Sequence, residues 1–306
     1  SVTAGDPEKL GDLSGKIEFR SIGDNDYGGE LLDNVSDKGE FNFVTEISEQ
    51  LPLWVLCEMM GIPESDRSKI RDLVNNLTDA SIQQDPNNSF QIWVNYMELF
   101  KMGRDMIEER RKKPTDDLMS VVANTKVEGG DLPPELLDGF FLLMVIAGNE
   151  TTRNTLTGGL MALTENPSER EKLLKDPSLI ANATDEMLRW VTSVIYFRRT
   201  ATKDTNIRGQ DIKAGDKIIM WYGSANRDED IFIDGHLFKV DRQNAKKHLA
   251  FGAGEHLCLG NRLGHMQIRI LFEELLKRFP NIHSVAEPVR IPSNFLAGIS
   301  ELKVSI

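Results

Sequence analysis

The chain has 306 residues, 40% of them hydrophobic, and a formal net charge of −12 at pH 7. This length can bury one large core or two lobes, and the acidic balance argues against nucleic acid as a partner. Two cysteines are too few for a disulfide scaffold, so a reducing cytoplasm is the expected location. The longest strongly apolar run, residues 140–147, is too short to span a bilayer, and no signal or transit peptide is visible. The composition therefore predicts a soluble globular protein without a membrane anchor.

The first part of the chain changes from irregular to helical patterning. Residues 1–30 are rich in Gly and Asp without a sustained period, which predicts an atypical, loop-like N-terminal segment. From residue 41 the apolar spacing becomes helical, and Gly61 is a natural C-cap. Cys57 lies in the first of these helices, and we expect it to be a core residue. The predicted helices cover residues 41–60, 64–80, 90–112 and 116–123.

The longest predicted helix opens at Pro133-Pro134 and runs to about Glu165. Residues 140–146 are apolar on every side, so we expect this part of the helix to be buried. The polar segment AGNETT follows at residues 147–152. A capped or kinked helix with its polar residues in solvent is one interpretation of this segment. An acid beside a hydroxyl within a buried helix is costly unless it is used, and this favours a functional role for Glu150 and Thr151.

The most informative stretch is FGAGEHLCLG at residues 251–260, which places Cys258 in a glycine-rich loop before a predicted helix. The glycines allow tight turns and the close approach of another group. The N-terminal dipole of the following helix should favour the thiolate form of Cys258. A thiolate in a tight turn beside the flat side chain of Phe251 is what axial ligation of a haem iron requires. The apolar stripe of the following helix is predicted at Leu259, Leu263, Met266 and Ile270.

Three other interpretations of this stretch are less consistent with its residues. A single cysteine in a helical protein is often a small core hydrophobe. A dinucleotide-binding loop needs a third glycine at position 257, where the chain has Leu257. A zinc site is disfavoured because the only other cysteine is Cys57 and no C-x-x-C pair exists.

The loop matches the pattern F-G-x-G-x-H-x-C-x-G at every fixed position and resembles the haem-binding loop of the cytochrome P-450 family. The resemblance implies a mainly α-helical fold with a small antiparallel β portion. It also implies haem b (iron protoporphyrin IX) with Cys258 as the iron ligand. In similar proteins the haem propionates are bonded by residues that match Arg199 and His256, although a surface cation is the alternative interpretation of Arg199. The other haem-binding positions implied are Ala147, Phe251, Gly252, Gly254 and Gly260.

The same resemblance assigns roles to residues outside the loop. The segment at 147–152 is similar to the family's A-G-x-[DE]-T, in which Thr151 would hold the bound oxygen and Glu150 would help to deliver protons. Glu186 and Arg189 are spaced as an E-x-x-R pair on one helix face, and they precede Arg242 in the order that the family requires. The three are expected to form a buried ionic cluster that fixes the cysteine loop.

Strands and a substrate pocket are expected around the middle and end of the chain. Short β-branched and aromatic runs at 195–207 and 211–221, with turns at 209–210 and 215–216, predict a small antiparallel sheet. The residues expected to line the substrate pocket are Leu143, Met144, Val194, Ile195, Phe295 and Leu296.

The resemblance covers about residues 31–306 and implies a single haem–thiolate monooxygenase domain there. Such an enzyme would insert one atom of O2 into a C–H bond of a hydrophobic small molecule, such as a steroid, a terpenoid or a fatty-acid-like lipid. The alternative is a haem-binding or degenerate chain without monooxygenase turnover. A peroxide-using relative fits less well, because such enzymes typically lack the acid–threonine pair. An NAD(P)H-linked ferredoxin or flavoprotein would supply electrons, docking near Lys246, Lys247, Arg262 and Arg269.

The N-terminal part of the chain departs from the family pattern. The family normally carries further N-terminal elements, including an H-x-x-x-R or W-x-x-x-R helix that bonds a propionate. All five histidines lie at position 236 or beyond, and no W-x-x-x-R precedes them. That part of the fold is therefore expected to be missing or replaced by residues 1–30, with weaker haem binding as the consequence.

Overall fold

The computed structural model describes residues 27–78, 82, 85–127 and 130–306. The chain divides into two compact units, residues 1–153 and 154–306, and the boundary falls inside one long helix. The predicted fold class, mainly α with small antiparallel strands, is confirmed. No helix among the described residues is long and apolar enough to cross a membrane. The single domain expected from residue 31 onward stays a prediction.

The first described element corrects the sequence-based expectation. Helix α1 spans Tyr27–Asp33, where a loop was expected as far as residue 30. Leu31 and Leu32 are buried, and their packing outweighs the low helix propensity of the glycines at the start of the helix. The rest of the predicted N-terminal loop, residues 1–26, lies outside the described residues.

Among the described residues, helices α2 to α5 and three short strands follow before residue 134. The helix predicted from residue 41 begins only at Gln50, because a strand and a π-helical turn, Val44–Ser48, precede it. Gly61 ends this helix with a φ of 71°, as predicted for a glycine C-cap. Strands β2 and β3 pair antiparallel. The elements are β1 Glu40–Asn42, α2 Gln50–Met60, α3 Glu64–Thr78, α4 Ser89–Lys112, α5 Leu118–Asn124, β2 Lys126–Val127 and β3 Gly130–Asp131.

The core of the first unit is apolar and closely packed. It is built by α2 to α5 together with the first half of α6, the 32-residue helix Pro134–Glu165. A Cβ at Gly103 would lie 2.7 Å from the ring of Phe141, so α4 and α6 approach closely there. Cys57 is completely buried, as expected, and burial raises the pKa of its thiol to about 11. A thiol with so high a pKa has little thiolate character.

Two helices of the second unit were not predicted from the sequence, α7 at Pro167–Lys175 and a four-residue helix at Tyr222–Ala225. A short 3-10 turn, Pro177–Leu179, precedes the next helix, and the Asp176 side chain caps this turn by accepting the Ser178 N–H. The remaining elements are α8 Ile180–Val191, β4 Tyr196–Thr200, β5 Thr205–Ile207, β6 Gln210–Ile212, β7 Lys217–Trp221, α9 Tyr222–Ala225, α10 Asn261–Arg278, β8 His283–Ser284, β9 Val289–Arg290, β10 Ile299–Glu301 and β11 Lys303–Ser305.

The strands of the second unit form antiparallel pairs. β4 pairs with β7 from Tyr196 opposite Trp221 to Thr200 opposite Lys217, and β5 pairs with β6 between them. The antiparallel pairing predicted for residues 195–221 is thereby confirmed, but the strands form two two-stranded sheets instead of one. Near the C-terminus β9 pairs with β10 and β8 with β11.

Two neighbouring glycines set the packing of the helices in the second unit. A Cβ at Gly158 would lie 2.7 Å from Val191, and one at Gly159 would lie 3.0 Å from the sulfur of Met187. The second half of α6 can therefore lie directly against α8. On α10 the predicted apolar stripe is wrong in its rotation, because Leu259 is exposed and the next three positions are only half-buried. The buried face consists of Ile268, Leu271, Phe272 and Leu275.

Candidate functional site

Backbone hydrogen bonds fold the cysteine loop back on itself. The Cys258 N–H donates to the Phe251 carbonyl at 2.9 Å, and the Gly252 N–H donates to the Leu249 carbonyl at 2.9 Å. Gly252 and Gly254 have φ angles of 71° and 67°, in the left-handed region that favours glycine. The chain between them and Cys258 contains a short 3-10 turn that ends at His256. The glycines at 252 and 254 are thus required by the fold of the loop itself.

Cys258 lies directly before α10, where the Asn261 side chain donates to its carbonyl at 2.6 Å. The residue as a whole is exposed, but its thiol lies partly among loop atoms. This partial burial raises the pKa of the Cys258 thiol, and the backbone N–H of Gly260 acts in the opposite direction. The expectation that the helix dipole would favour a thiolate is wrong for the protein alone, because desolvation outweighs the nearby donor.

An ion cluster lies behind this loop. Arg189 donates two hydrogen bonds to Glu186, at 2.6 and 2.7 Å, and both side chains are fully buried. Arg242 also binds Glu186, with its Nε 3.0 Å from Oε2. The structure therefore brings together the three residues that the sequence analysis assigned to one cluster.

The two arginines of the cluster also bind backbone carbonyls, and these carbonyls belong to the segment that leads to the loop. Arg189 donates to the carbonyls of Asn226, Gly235 and Leu237 at 2.6 to 2.9 Å. Arg242 donates to the Ile233, Asp234 and Leu237 carbonyls at 2.7 to 3.1 Å. The segment 226–242 contains few regular elements, so the guanidinium groups take over the role that a helix or sheet ladder plays elsewhere.

Asn226 connects this cluster to the cysteine loop, and the sequence analysis did not assign it a role. Its side chain is completely buried and accepts the Leu249 N–H at 2.6 Å. Its amide nitrogen donates to the Thr192 hydroxyl at 2.8 Å. Asn226 thus holds the residue that begins the turn into the loop. The available signal was the largely polar segment 224–229, which lies between Arg189 and Arg242 in the sequence.

The two cations expected to contact propionates lie at accessible positions. Arg199 lies on β4 opposite Ile218, and its guanidinium donates to the Arg198 carbonyl at 3.1 Å. His256 is exposed in the loop. Neither forms an ion pair with a carboxylate within the described part of the chain. Their donor groups are therefore not committed to an internal anion.

Four of the expected pocket residues lie together in the second unit. Val194 forms an isolated β-bridge with Leu296, and the Ile195 N–H donates to the Phe295 carbonyl at 2.9 Å. The Phe295 ring is surrounded by other aromatic rings, with centroid distances of 5.7 Å to Phe197 and 5.9 Å to Tyr196. This cluster stays partly exposed and offers an apolar surface to a small molecule.

In the first unit, α6 carries an exposed stripe where burial was expected. Leu143 is 61% exposed, Ala147 is exposed and Thr151 is partly exposed, and these residues are four apart on one face. Met144 is half-buried. The expectation that residues 140–146 are buried all round is therefore wrong, because apolar composition alone does not distinguish a core face from an exposed face. The Thr151 hydroxyl donates to the Ala147 carbonyl at 2.8 Å, as expected.

Glu150 points to the buried side of α6, away from that stripe. One carboxylate oxygen lies 2.5 Å from the guanidinium of Arg153, and the other has no hydrogen-bond partner among the described residues. Burial raises the pKa of Glu150, and the charge of Arg153 acts in the opposite direction. Glu49 raises the pKa of Glu150 further by repulsion.

The basic residues expected to form a docking surface differ in their surroundings. Lys246, Lys247 and Arg262 are exposed, whereas Arg269 is partly exposed and lies 3.6 Å from Glu273. This contact reduces the positive charge that Arg269 presents.

The residues of the loop fit a haem. Of the two cysteines in the chain, only Cys258 is accessible to a ligand, because Cys57 is completely buried in the core of the first unit. Leu257 and Leu259 on either side of Cys258 are 52% and 61% exposed, and they give the loop an apolar surface around its thiol. A sulfur ligand within apolar surroundings, together with the accessible N–H donors of Arg199 and His256, is the donor set of a haem–thiolate site.

Comparisons with known proteins agree with this class of protein. The family model "Cytochrome P450" (P-450) matches residues 64–304, well over half of the chain. The methyl-branched lipid omega-hydroxylase of Mycobacterium tuberculosis is 38% identical over 280 residues, which cover 90% of this chain and 64% of that protein. The steroid C26-monooxygenase of Rhodococcus jostii is 36% identical over 280 residues, covering 90% of this chain and 57% of the relative.

Solved structures are similar as well. The Mycobacterium marinum cytochrome P-450 CYP268A2, in complex with pseudoionone, has a TM-score of 0.88 and 34% identity, covering 98% of this chain and 72% of that one. CYP109E1 from Bacillus megaterium, in complex with testosterone, has a TM-score of 0.85 and 30% identity, covering 98% and 80%. The chain belongs to the cytochrome P-450 family, whose members contain haem. It spans 64% of the length of the first of these curated relatives.

Proposed function

We propose that the protein is a haem-dependent monooxygenase that hydroxylates a hydrophobic small molecule with O2. The single observation that carries this proposal is the loop that turns at Gly252 and Gly254 and presents the thiol of Cys258 next to exposed leucines. The family membership of the chain supports it, as do the relatives that are named as hydroxylases and monooxygenases.

The proposed cofactor is haem b. When bound, haem would supply the activation of O2 and the oxidising equivalents for attack on a C–H bond. Cys258 would hold the iron, and its anionic sulfur would donate electron density toward the metal. Arg199 and His256 would each bind a propionate through charge-assisted hydrogen bonds. Ala147, Phe251, Gly252, Gly254 and Gly260 are proposed to contact the macrocycle or to keep space free for it.

Glu150 and Thr151 are proposed to supply the protons of the reaction. The raised pKa of Glu150 keeps a proton available nearer to neutral pH than an ordinary carboxyl would. The Thr151 hydroxyl donates to the Ala147 carbonyl and lies on the exposed side of α6. The two side chains leave the helix in different directions, and a rotamer change of Glu150 would be needed for proton transfer between them.

The substrate proposed is a steroid, a terpenoid or a branched or fatty-acid-like lipid. The relatives carry the names of a methyl-branched lipid hydroxylase and a steroid monooxygenase, and a similar solved structure holds testosterone. The aromatic cluster around Phe295, together with Val194, Ile195 and Leu296, offers apolar surface of the kind that such molecules bury. Leu143 and Met144 are proposed to contribute further contacts.

Electrons are proposed to come from an NAD(P)H-linked ferredoxin or flavoprotein in the cytoplasm. The exposed lysines Lys246 and Lys247 and the exposed Arg262 suit an acidic donor, because opposite charges steer a transient encounter. Arg269 contributes less, since Glu273 faces it.

The experiment that tests haem–thiolate ligation is the absorption spectrum of the reduced, CO-bound protein. We expect the red-shifted band of a thiolate–CO complex in the wild type and its loss in Cys258→His. Cys57→Ala is the matched control, because it removes the other cysteine of the chain and should keep the band. A thiolate band that persists in Cys258→His would refute the ligand assignment.

Turnover with a surrogate reductase then separates a monooxygenase from a haem-binding chain without turnover. Product that carries oxygen from labelled O2 supports the proposal. A chain that shows the thiolate band but yields no product with any of the proposed lipids, while the reductase delivers electrons to it, would support the alternative.

A further inference from the structure

A buried carboxylate contacts both flanks of the cysteine loop. Asp185 lies on α8 directly before Glu186, and its side chain is 8% exposed. Its Oδ1 atom lies 3.2 Å from Nε2 of His265 and 3.7 Å from Nε2 of His248. His248 stands before the loop and His265 after it, so one oxygen atom faces both flanks of the segment that contains Cys258.

His248 connects this carboxylate to the first half of the loop. The Ala250 N–H donates to its Nδ1 at 3.2 Å, so Nδ1 is an acceptor and the ring hydrogen lies on Nε2, toward Asp185. The ring also packs against Phe251, with centroids 5.5 Å apart. Phe251 in turn accepts the Cys258 N–H through its carbonyl. A continuous set of contacts therefore leads from Asp185 to the backbone of Cys258.

His265 connects the same carboxylate to the other flank. It lies in the second turn of α10, the helix that begins just after Cys258. Its side chain is partly buried, 29% exposed, and its Nε2 makes the shorter of the two contacts to Asp185. Movement of the start of α10 relative to α8 would break this contact.

The contacts of Asp185 are concentrated on one of its two oxygens. Its Oδ2 atom is buried and has no hydrogen-bond partner among the described residues. Burial alone would raise the pKa of this carboxyl, but the two histidines lower it to about 2. Asp185 therefore remains ionised and faces imidazole N–H groups at a low dielectric, where such contacts are strong.

We propose that Asp185, His248 and His265 are positioning residues that clamp the two flanks of the cysteine loop and thereby hold Cys258 in place for the iron. This role is separate from that of the Glu186 cluster, which binds the segment 226–242. It rests on the proposed function only in that Cys258 is taken to bind haem.

The test compares Asp185→Asn with Asp117→Asn as a matched control. Asp117 is equally buried and ion-paired, with Arg110 at 2.6 Å, but it caps α5 in the first unit and has no contact with the loop. Loss of a charge-assisted contact corresponds to about tenfold in an equilibrium. We therefore expect Asp185→Asn, but not Asp117→Asn, to release haem to apomyoglobin about tenfold faster and to show a smaller fraction of the thiolate–CO band.

His265 supplies a second pair of variants in case Asp185→Asn does not fold. His265→Leu removes the N–H donor that faces Asp185, whereas His265→Arg keeps an N–H donor at this position, so the arginine variant should retain haem and the leucine variant should not. If His265 only filled space, His265→Arg would not retain haem better than His265→Leu.

Hydrogen exchange of residues 249–260 tests the clamp without depending on haem. Exchange should be about tenfold faster in Asp185→Asn and His265→Leu than in the wild type. Unchanged exchange and unchanged haem release in both variants would overturn the proposal. Absence of a thiolate band from the wild type would refute the proposed function instead, and the exchange measurement would still decide on the clamp.

Discussion

Glu186 and Arg189, three residues apart on α8, form a two-point ion pair whose side chains are both completely buried. Such a pair is costly to desolvate, and it is retained only with full hydrogen bonding. Arg242 and the backbone N–H of Lys239 complete the bonding of Glu186. The cluster thereby joins α8 to the segment that leads to the cysteine loop through ion pairs and hydrogen bonds alone.

We predict that Arg189→Leu destabilises the protein by about 3–5 kcal/mol, because it leaves a buried carboxylate with one partner fewer and three carbonyls without their donor. The free energy of unfolding in urea measures this. Lys175→Met is the control, since Lys175 forms an exposed pair with Glu171 at 2.6 Å and should have little effect. Equal effects of the two substitutions would contradict the prediction.

Asn226→Ala should loosen the turn into the cysteine loop. It removes the acceptor of the Leu249 N–H and the donor to Thr192, at about 1 kcal/mol for each hydrogen bond. We expect a loss of about 2 kcal/mol and faster hydrogen exchange at residues 249–252. Asn206→Ala is the control, because its side chain also makes two hydrogen bonds but lies exposed in a hairpin. Exchange that stays at the wild-type rate in Asn226→Ala would remove this residue from the loop's support.

Glu150 should make stability depend on pH. Its pKa is raised above the ordinary value of 4.5 by burial, so between that value and its folded-state pKa the folded state binds more protons than the unfolded state. In this window stability falls as pH rises, at up to about 1.4 kcal/mol per pH unit. Glu150→Gln should remove this slope, as seen in unfolding curves at pH 5 to 8, whereas Glu108→Gln on the exposed face of α4 should keep it. A wild-type slope that is the same in Glu150→Gln would exclude the acid as its source.

Thr151→Ala should uncouple electron consumption from product formation. Without the hydroxyl, protons are no longer directed to the reacting oxygen. We expect product per electron to fall by roughly tenfold while peroxide rises. Thr151→Ser should restore most of the coupling. Thr152→Val is the control, because its side chain is buried on another face of α6. Normal coupling in Thr151→Ala would exclude this residue from proton delivery.

The parts of the site that could be predicted are those whose residues lie close together in the sequence. The fixed positions of residues 251–260 and the E-x-x-R spacing lie within one turn or one loop, so their chemistry can be read locally. Asp185 and Asn226 could not be assigned in this way, because their partners lie far along the chain and only the packing of α8 brings them close. The exposure of Leu143 was missed for a related reason, since hydrophobic periodicity shows which residues are apolar but not which face is covered.

Local rules also explain the errors in the fold. The helix α7 follows an Asn-Pro break that ends one helix. Such a break can equally begin the next helix, because proline is favoured in the first turn, where Pro167 lies. The stripe predicted for α10 was rotated because its spacing was counted from Leu259, which lies before the helix begins, whereas the buried apolar face begins at Ile268. The thiolate expectation for Cys258 considered the helix dipole and omitted desolvation.

The glycines at 158 and 159 restrict how the sequence of this protein can vary. A methyl group at Gly159 would press on Met187, the neighbour of Glu186 and two residues from Asp185. A side chain there would force Met187 to give way next to the two carboxylates. The close approach of α6 and α8 thus limits substitution at positions that contact neither the loop nor its ion cluster.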